Sequence, residues 1–403
     1  MFTMIEQLKH AIESRRDEMA ELTAALVAID TENPPGRNYE RCVRFLGERL
    51  DAIGFESRIE PVPGGDADPA HPRFWLQAAL GESSQTVYFH GHYDVVPAQS
   101  RDQFTPSVTD DTIFGRGSTD MKGGLVSMIY AMWALREIGA SLNGRIALQV
   151  VPDEETGGAL GAHALNEREL LVGDDAVAMI TAEPTGRVVW HACRGAITCR
   201  VTVRGRQSHV GHAYRGINAF EHMLSVADAL SALENVVRER LTSYPLEPED
   251  ARRSILMMGG EVSGGANFNV VPENVTFSVD RRINPEEDFD TEKKRLLEAI
   301  HSTDGDVDVE LFQEARPAGV SESDRAAAIL REATADVRGE PAPLELCPGI
   351  LEIRFYAERG VPALAYGPGL LSVAHGPQEF VKRQDLEDVA VVYALTAARL
   401  LAG

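Results

Sequence analysis

Thr86-Val-Tyr-Phe-His-Gly-His-Tyr-Asp-Val-Val-Pro97 opens as an unbroken apolar run and then turns to histidine and aspartate. Residues 73–80, 145–151 and 176–182 are apolar runs of the same kind, each giving way to charged residues. Short runs of this type, separated by helices, predict strands of a mainly parallel sheet covered on both faces. Residues 39–53 read as one helix. The segment after Asp120 carries Leu125, Val126, Met128, Ile129, Met132, Trp133 and Leu135, too apolar for a surface helix, so it is expected in the core. At the N-terminus, Ile5, Leu8, Ile12, Met19, Leu22, Leu26 and Ile29 alternate with charged residues and predict an amphipathic helix, which Thr31-Glu-Asn-Pro-Pro-Gly36 breaks.

Past Arg187 the pattern changes. Residues 188–190, 196–203 and 275–279 look like antiparallel strands, residues 218–237 like one amphipathic helix, with glycine-rich joints at Gly205 and residues 259–265. This predicts a smaller α+β domain inserted at residues 194–308, leaving 1–193 and 309–403 as one discontinuous α/β domain. A length of 403 residues agrees with two domains. No internal repeat or low-complexity tract interrupts the pattern.

Composition excludes several classes. With 44% hydrophobic and 25% charged residues the chain is of ordinary globular type. A formal net charge of -23 repels phosphate backbones and anionic lipid, so neither nucleic acid nor membrane is an expected partner. Cys42, Cys193, Cys199 and Cys347 form no CxxC pair, which argues against a disulfide scaffold or thiolate metal site and points to a reducing, cytoplasmic setting. No apolar stretch reaches the roughly 18 residues of a spanning helix.

The chemistry gathers where apolar runs end, the place where open α/β sheets build their sites. At strand spacing His92 and Asp94 point to one side, so the carboxylate can orient the imidazole while its other nitrogen binds a metal. His90 shares that face and is either the ligand instead or a core histidine. Asp120, in Gly115-Arg-Gly-Ser-Thr-Asp120, fits a dinucleotide loop poorly, because a carboxylate there would repel a pyrophosphate. It fits better as a carboxylate shared by two cations. Asp153-Glu154-Glu155 ends a strand with three acids, which is either a solvated turn or a site whose repulsion cations relieve. Glu183 and His375 stand in comparable places.

Taken in order, His90-Gly-His-Tyr-Asp-Val-Val-Pro97, Gly115-Arg-Gly-Ser-Thr-Asp-Met-Lys-Gly-Gly124, Asp153-Glu-Glu-Thr-Gly157, Glu183-Pro-Thr185 and Ala374-His375 make the chain resemble a known family over nearly its whole length. This is the zinc amidohydrolase and exopeptidase family that includes acetylornithine deacetylase, succinyl-diaminopimelate desuccinylase, aminoacylase and carboxypeptidase G. The resemblance implies two Zn2+ per chain, with Co2+ or Mn2+ as possible substitutes. One ion would take His92, Asp120 and Glu183, and the other Asp120, Glu155 and His375. Glu154 matches the general base, and Asp94 the residue that orients His92.

The inserted domain resembles the family's lid and dimerisation domain through Ser208-His209, Gly216-Ile-Asn-Ala219, Asn269-Val-Val-Pro272 and Asp280-Arg-Arg282. The resemblance implies a homodimer in which His209 stabilises the oxyanion in the other subunit's site. It also implies that Asn269 and Arg282, joined by Arg194, grip a substrate carboxylate. The alternative for Arg281 and Arg282 is a salt bridge to Asp280 or to the acidic turn at residues 286–288. Where relatives often carry a Gly-Gly-Thr/Ser-Asp-like segment, this chain has Cys347-Pro-Gly-Ile-Leu-Glu-Ile-Arg354: Gly349 keeps the small residue, while Leu351 and Glu352 depart from the pattern.

The implied function is hydrolysis of the acyl amide of a small N-acyl amino acid. A metallo-carboxypeptidase or dipeptidase on the same site is the alternative. Glu rather than Asp at position 183 favours the deacylase, since family members acting as aminopeptidases or dipeptidases tend to carry Asp there. A third reading is a non-catalytic metal-binding dimer. Glu154 argues against it, because a binding protein has no use for a base that holds no metal.

Overall fold

The four apolar runs are strands in the computed structural model: Phe74–Leu80, Thr86–His92, Arg145–Val151 and Ala176–Thr181. With Arg58–Pro61 as β1 they are β2 to β5 in chain order, and Val189–Cys193 is β6. The structure describes residues 3–65, 68–82 and 85–402. Two units are present. Met1–His191, Val320–Leu344 and Phe355–Gly403 make the first, and Ala192–Gly319 with Glu345–Arg354 the second.

In the first unit the sheet order is β1-β2-β4-β3-β5, then the short strand Ala363–Ala365, then β6. β4, β3, β5 and Ala363–Ala365 are parallel neighbours, whereas β1/β2, β2/β4 and the pairing of Ala365 with Trp190 are antiparallel. The sheet is therefore mixed, parallel only at its centre, where the apolar runs suggest a mainly parallel one. Connection length is the reason. A parallel return needs a crossover of a dozen or more residues, and the link at residues 81–85 is too short, so β2 and β3 must run in opposite directions.

The N-terminal helix is two helices, α1 (Met4–Glu13) and α2 (Arg16–Val27), because the backbone turns at Arg15 (φ −113°, ψ 9°). α3 is Tyr39–Ala52 and α4 is Gly123–Glu137. α4 is buried from Gly123 to Leu135, as expected of a core helix, and packs in one cluster with Phe89, Ile146, Leu148 and Ile180 of the sheet. Two glycines permit that approach. A Cβ on Gly91, between the two histidines of β3, would lie 2.6 Å from Leu125 Cδ2, and one on Gly124 would lie 2.5 Å from Ala182 Cβ. No helix among the described residues is long and apolar enough to cross a membrane.

The second unit is a four-stranded antiparallel sheet in the order Ile255–Gly264, Asn274–Ile283, Gly195–Arg204, Asp306–Ala315. The helices Ala219–Arg238 and Phe289–Ile300 add Val226, Leu230, Leu296 and Ile300 to the core that Ile197, Cys199, Val201 and Val279 form. Asp306–Ala315 pairs along Gly195–Arg204, so this unit runs past residue 308, where the sequence pattern ends the inserted domain. All four cysteines are buried.

Candidate metal centre

Parallel strands put their carboxyl ends on one side, and the first unit's acidic residues gather there. β3 ends at His92, with Asp94 two residues on. β4 ends at Val151, and after Asp153 in the left-handed region (φ 74°) a single turn, Glu154–Thr156, presents the two glutamates. Glu183 follows β5. Asp120 sits in Ser118–Lys122 with non-helical angles (φ −119°, ψ 96°), just before α4. His375 lies in a loop at φ 62°.

These segments converge. His92 Nε2 is 3.2 Å from Asp120 Oδ1 and 3.8 Å from Glu183 Oε1. His375 Nε2 is 3.1 Å from Asp120 Oδ2 and 3.2 Å from Glu155 Oε2. Asp120 thus turns one oxygen to each of two groups, and His92, Asp120 and Glu155 offer ligand atoms within 4.8 Å of one another. His90 is not part of the cluster. It is buried in the sheet, with Nδ1 3.2 Å from the Tyr356 hydroxyl, which donates to Gln149 at 2.7 Å. The core-histidine reading holds for it.

Electrostatics explain why this cluster fits a cation. Asp120 and Glu155 pair only with imidazoles, with no lysine or arginine partner among the described residues. The hydrogen bonds to Asp120 and Glu155 push His375 up to about 10. Burial works to lower His92, but its bonds to Asp120 and Asp94 outweigh it and hold the ring well above its usual value. Burial likewise works to raise Asp120, yet His375 and His92 keep it below the usual carboxylate range. Glu155 is pushed up, by burial first and then by the Asp120 charge. Protons on two imidazoles are thus what offsets the acids, and a divalent ion would supply the same charge to the same atoms. A nitrogen and oxygen donor set without sulfur suits zinc, cobalt or manganese.

Asp94 has more than one contact. His92 Nδ1 lies 3.1 Å from its main-chain oxygen and 3.4 Å from Oδ1. Its carboxylate also accepts the N–H of Glu154 at 3.2 Å, the N–H of Glu155 at 3.1 Å and Asn33 Nδ2 at 2.9 Å. Asp94 therefore holds the turn that carries both glutamates. Asn33, which also donates to Thr156 Oγ1 at 2.9 Å, is missed by a reading that sees its segment only as a helix breaker. Arg116, inside the motif at residues 115–124, and Glu379, four residues after His375, are missed as well: they form a buried ion pair at 2.7 Å. Nothing in sequence spacing marks any of the three.

The remaining candidates lie in the second unit. His209 is exposed, and its Nδ1 accepts from Gly211 N at 3.1 Å, which leaves the proton of the neutral ring on Nε2. Asn269 accepts from Val210 N through its main-chain oxygen at 2.9 Å. Arg282 Nε and Nη2 lie 3.2 and 2.9 Å from Asp280 Oδ2, the salt bridge foreseen as its alternative. Gly349 accepts from Arg194 N at 3.2 Å. Arg194 corrects its sequence reading. It is 2% exposed, with Nε on Asn284 Oδ1 at 3.1 Å and Nη2 on the carbonyls of Ala251 and Arg253 at 2.5 and 2.9 Å. A guanidinium engaged this way fastens the turn near residue 250. Leu351 and Glu352, where the chain departs from the family pattern, are both buried.

Comparison with known proteins bears on this geometry. Residues 88–399 match peptidase family M20/M25/M40. The succinyl-diaminopimelate desuccinylase of Alkalilimnicola ehrlichii is 29% identical over 401 residues, covering 95% of this chain and 99% of that protein. The aminopeptidase PepT of Bacillus cereus superposes with a TM-score of 0.75 at 20% identity, over 96% of this chain and 99% of that one. A protein of Bacillus subtilis described as a dinuclear metal-binding M20 peptidase superposes with a TM-score of 0.67 at 14% identity, over 96% and 99% of the two chains. At these identities the two structures share the fold.

Proposed function

The chain belongs to peptidase family M20/M25/M40 and is a hydrolytic enzyme acting on amide bonds, and we propose that its substrate is a small N-acylated, carboxylate-bearing amino acid whose acyl amide it cleaves. The observation that carries the proposal is the pair of groups sharing Asp120, with His92 and Glu183 on one side and Glu155 and His375 on the other. Those five residues would hold two metal ions, with zinc the best match. When bound, the metal would supply Lewis acidity, polarising the scissile carbonyl and lowering the pKa of the attacking water.

The chain's own residues do the rest. Glu154 takes the proton of the attacking water and delivers it to the departing nitrogen, since an unprotonated amide anion is a very poor leaving group. Asp94 orients His92 and, through the N–H of Glu154, holds the turn that carries the base. By family resemblance His209 donates from Nε2 to the oxyanion, in the other subunit of a homodimer. Asn269 and Arg282 would receive the substrate carboxylate, which for Arg282 means exchanging Asp280 for the ligand, and Gly349 would border the acyl pocket. The second unit supports the dimer. Met223, Val226, Leu230 and Leu233 of Ala219–Arg238 pack on their own sheet, whereas Phe220 and Leu224 of that helix and Met257 and Val262 of the edge strand are about half exposed or more (48–64%). Exposed edges of this kind invite pairing.

Relatives named succinyl-diaminopimelate desuccinylase and Glu at position 183 favour a deacylase. The peptidase description of the family favours a carboxypeptidase or dipeptidase as the second reading. A panel of N-succinyl, N-acetyl and N-formyl amino acids beside dipeptides decides between them. Turnover of acyl amino acids well above dipeptides is expected; turnover of dipeptides alone would replace the first reading with the second.

A further inference from the structure

Asp120 and His375 come from distant parts of the chain, yet Oδ2 of one lies 3.1 Å from Nε2 of the other. Regular secondary structure holds neither. Asp120 is at the kink of Ser118–Lys122, and His375 is a non-glycine residue in the left-handed region. Something else must keep the two loops in register.

Arg116 and Glu379 stand where that is done. Their side chains are 1% and 0% exposed, with Nη1 and Oε2 2.7 Å apart. Glu379 Oε1 accepts the main-chain N–H of Thr119 at 3.0 Å and of Asp120 at 3.1 Å. Arg116 Nη2 donates to the main-chain carbonyl of His375 at 3.1 Å. The two residues are themselves anchored: the Glu379 carbonyl accepts from Gly115 N at 2.9 Å, and Phe380 pairs with Phe114 in a short antiparallel ladder. One end of the ion pair thus grips the peptide of Asp120 and the other that of His375. A buried ion pair is a poor source of net stability, because desolvation offsets most of the attraction. A guanidinium offers something different, two donors at a set angle that join a carboxylate to a carbonyl.

We propose that Arg116 and Glu379 are positioning residues that set the separation of Asp120 and His375, and thereby the affinity for the cation that Asp120, Glu155 and His375 would hold. The inference rests on the two-ion reading above, and neither residue touches the substrate.

Arg116→Lys tests it, since it keeps the charge but replaces the fork with one ammonium that cannot hold Glu379 and the His375 carbonyl together. The full-length chain, stripped with a chelator, is titrated calorimetrically with Zn2+, and the melting temperature of the stripped protein is measured alongside. The affinity for the ion that His375 would hold should fall by about tenfold or more, the usual range for losing a residue that supports a metal ligand, and the other, which shares only Asp120, should fall by less. The stripped protein should melt as wild type does, and activity lost at limiting zinc should return in excess zinc. Two unchanged affinities overturn the proposal. Equal losses at both sites with a lowered melting temperature also overturn it, since that is what a merely structural role produces. Should Arg116→Lys fail to fold, Glu379→Asp, which keeps the charge but shortens the reach to the Asp120 N–H, is read the same way. A wild-type chain that binds a single ion refutes the two-ion reading by itself. The positioning role then stands only if Arg116→Lys weakens that ion.

Discussion

Each unit buries a cluster of charged side chains, and the two are built in opposite ways. In the second unit Arg240 and Arg281 face Glu287 and Glu292 in four contacts of 2.6–2.8 Å, and Arg295 adds a further contact to Glu292. In the first, Asp120 and Glu155 form ion pairs with the imidazoles of His92 and His375, with no lysine or arginine partner among the described residues. The first cluster needs protons or metal ions for its balance, and the second is complete. Burial of charge does not mark a site by itself, because both clusters bury their carboxylates. A missing fixed countercharge does.

The largest effect expected from this contrast is on catalysis. Glu154→Ala should lower kcat by about 10²–10⁴ while metal content by elemental analysis stays at two ions per chain. Near-normal turnover would remove Glu154 from the mechanism, and a content that never exceeds one ion in excess zinc would remove the second metal. The closed cluster should respond in the opposite sense. Arg281→Met removes the fully buried cation and leaves the two glutamates to Arg240 and the half-exposed Arg295, so urea unfolding should show a loss of about 3–5 kcal/mol with zinc binding unchanged. Altered metal stoichiometry at unchanged stability would break the comparison.

A third test uses pH. His375, at about 10 in the folded metal-free chain against an ordinary value of 6.5, is raised, so its contribution is complete below about 6.5 and is lost as pH climbs toward 10. His92 is raised as well, and Glu155, raised from 4.5, adds a loss of the same sign that begins in the carboxylate range. The metal-free protein should therefore melt lower at pH 9 than at pH 7, while the zinc-loaded protein, with the imidazoles ligated, should not follow it. Identical pH profiles for the two forms would show that the protons and the metal do not share these atoms.

The smallest signal concerns the dimer. Mixing inactive Glu154→Ala chains with inactive His209→Ala chains should restore up to about a quarter of wild-type activity, since random exchange makes half the dimers mixed and gives each one complete site. No recovery in dimers shown by mass to have exchanged would confine His209 to its own subunit or to a structural role.

Some of the molecule is local and some is not. The strands at β2 to β5, the core helix α4 and the acids at strand ends were legible because apolar runs, an all-apolar helix and adjacent carboxylates are properties of neighbouring residues. His209 became a candidate only by resemblance. Arg282 shows the limit: the same sequence fits a substrate grip or a bond to Asp280, and the structure draws the second.

By itself, the sequence determined that an α/β sheet carries His92, Glu155 and Glu183 near its strand ends, with Asp120 at the start of a core helix, since hydrophobic periodicity and residue type are enough for that. The tertiary structure alone decided that Tyr356 and Gln149 claim His90 and that Arg194 is buried against backbone carbonyls. It alone revealed Asn33, Arg116 and Glu379 around the ligands. The physical reason is common to all of these. Hydrogen-bond partners are settled by groups that meet through space from remote parts of the chain, and no local pattern encodes which groups will meet.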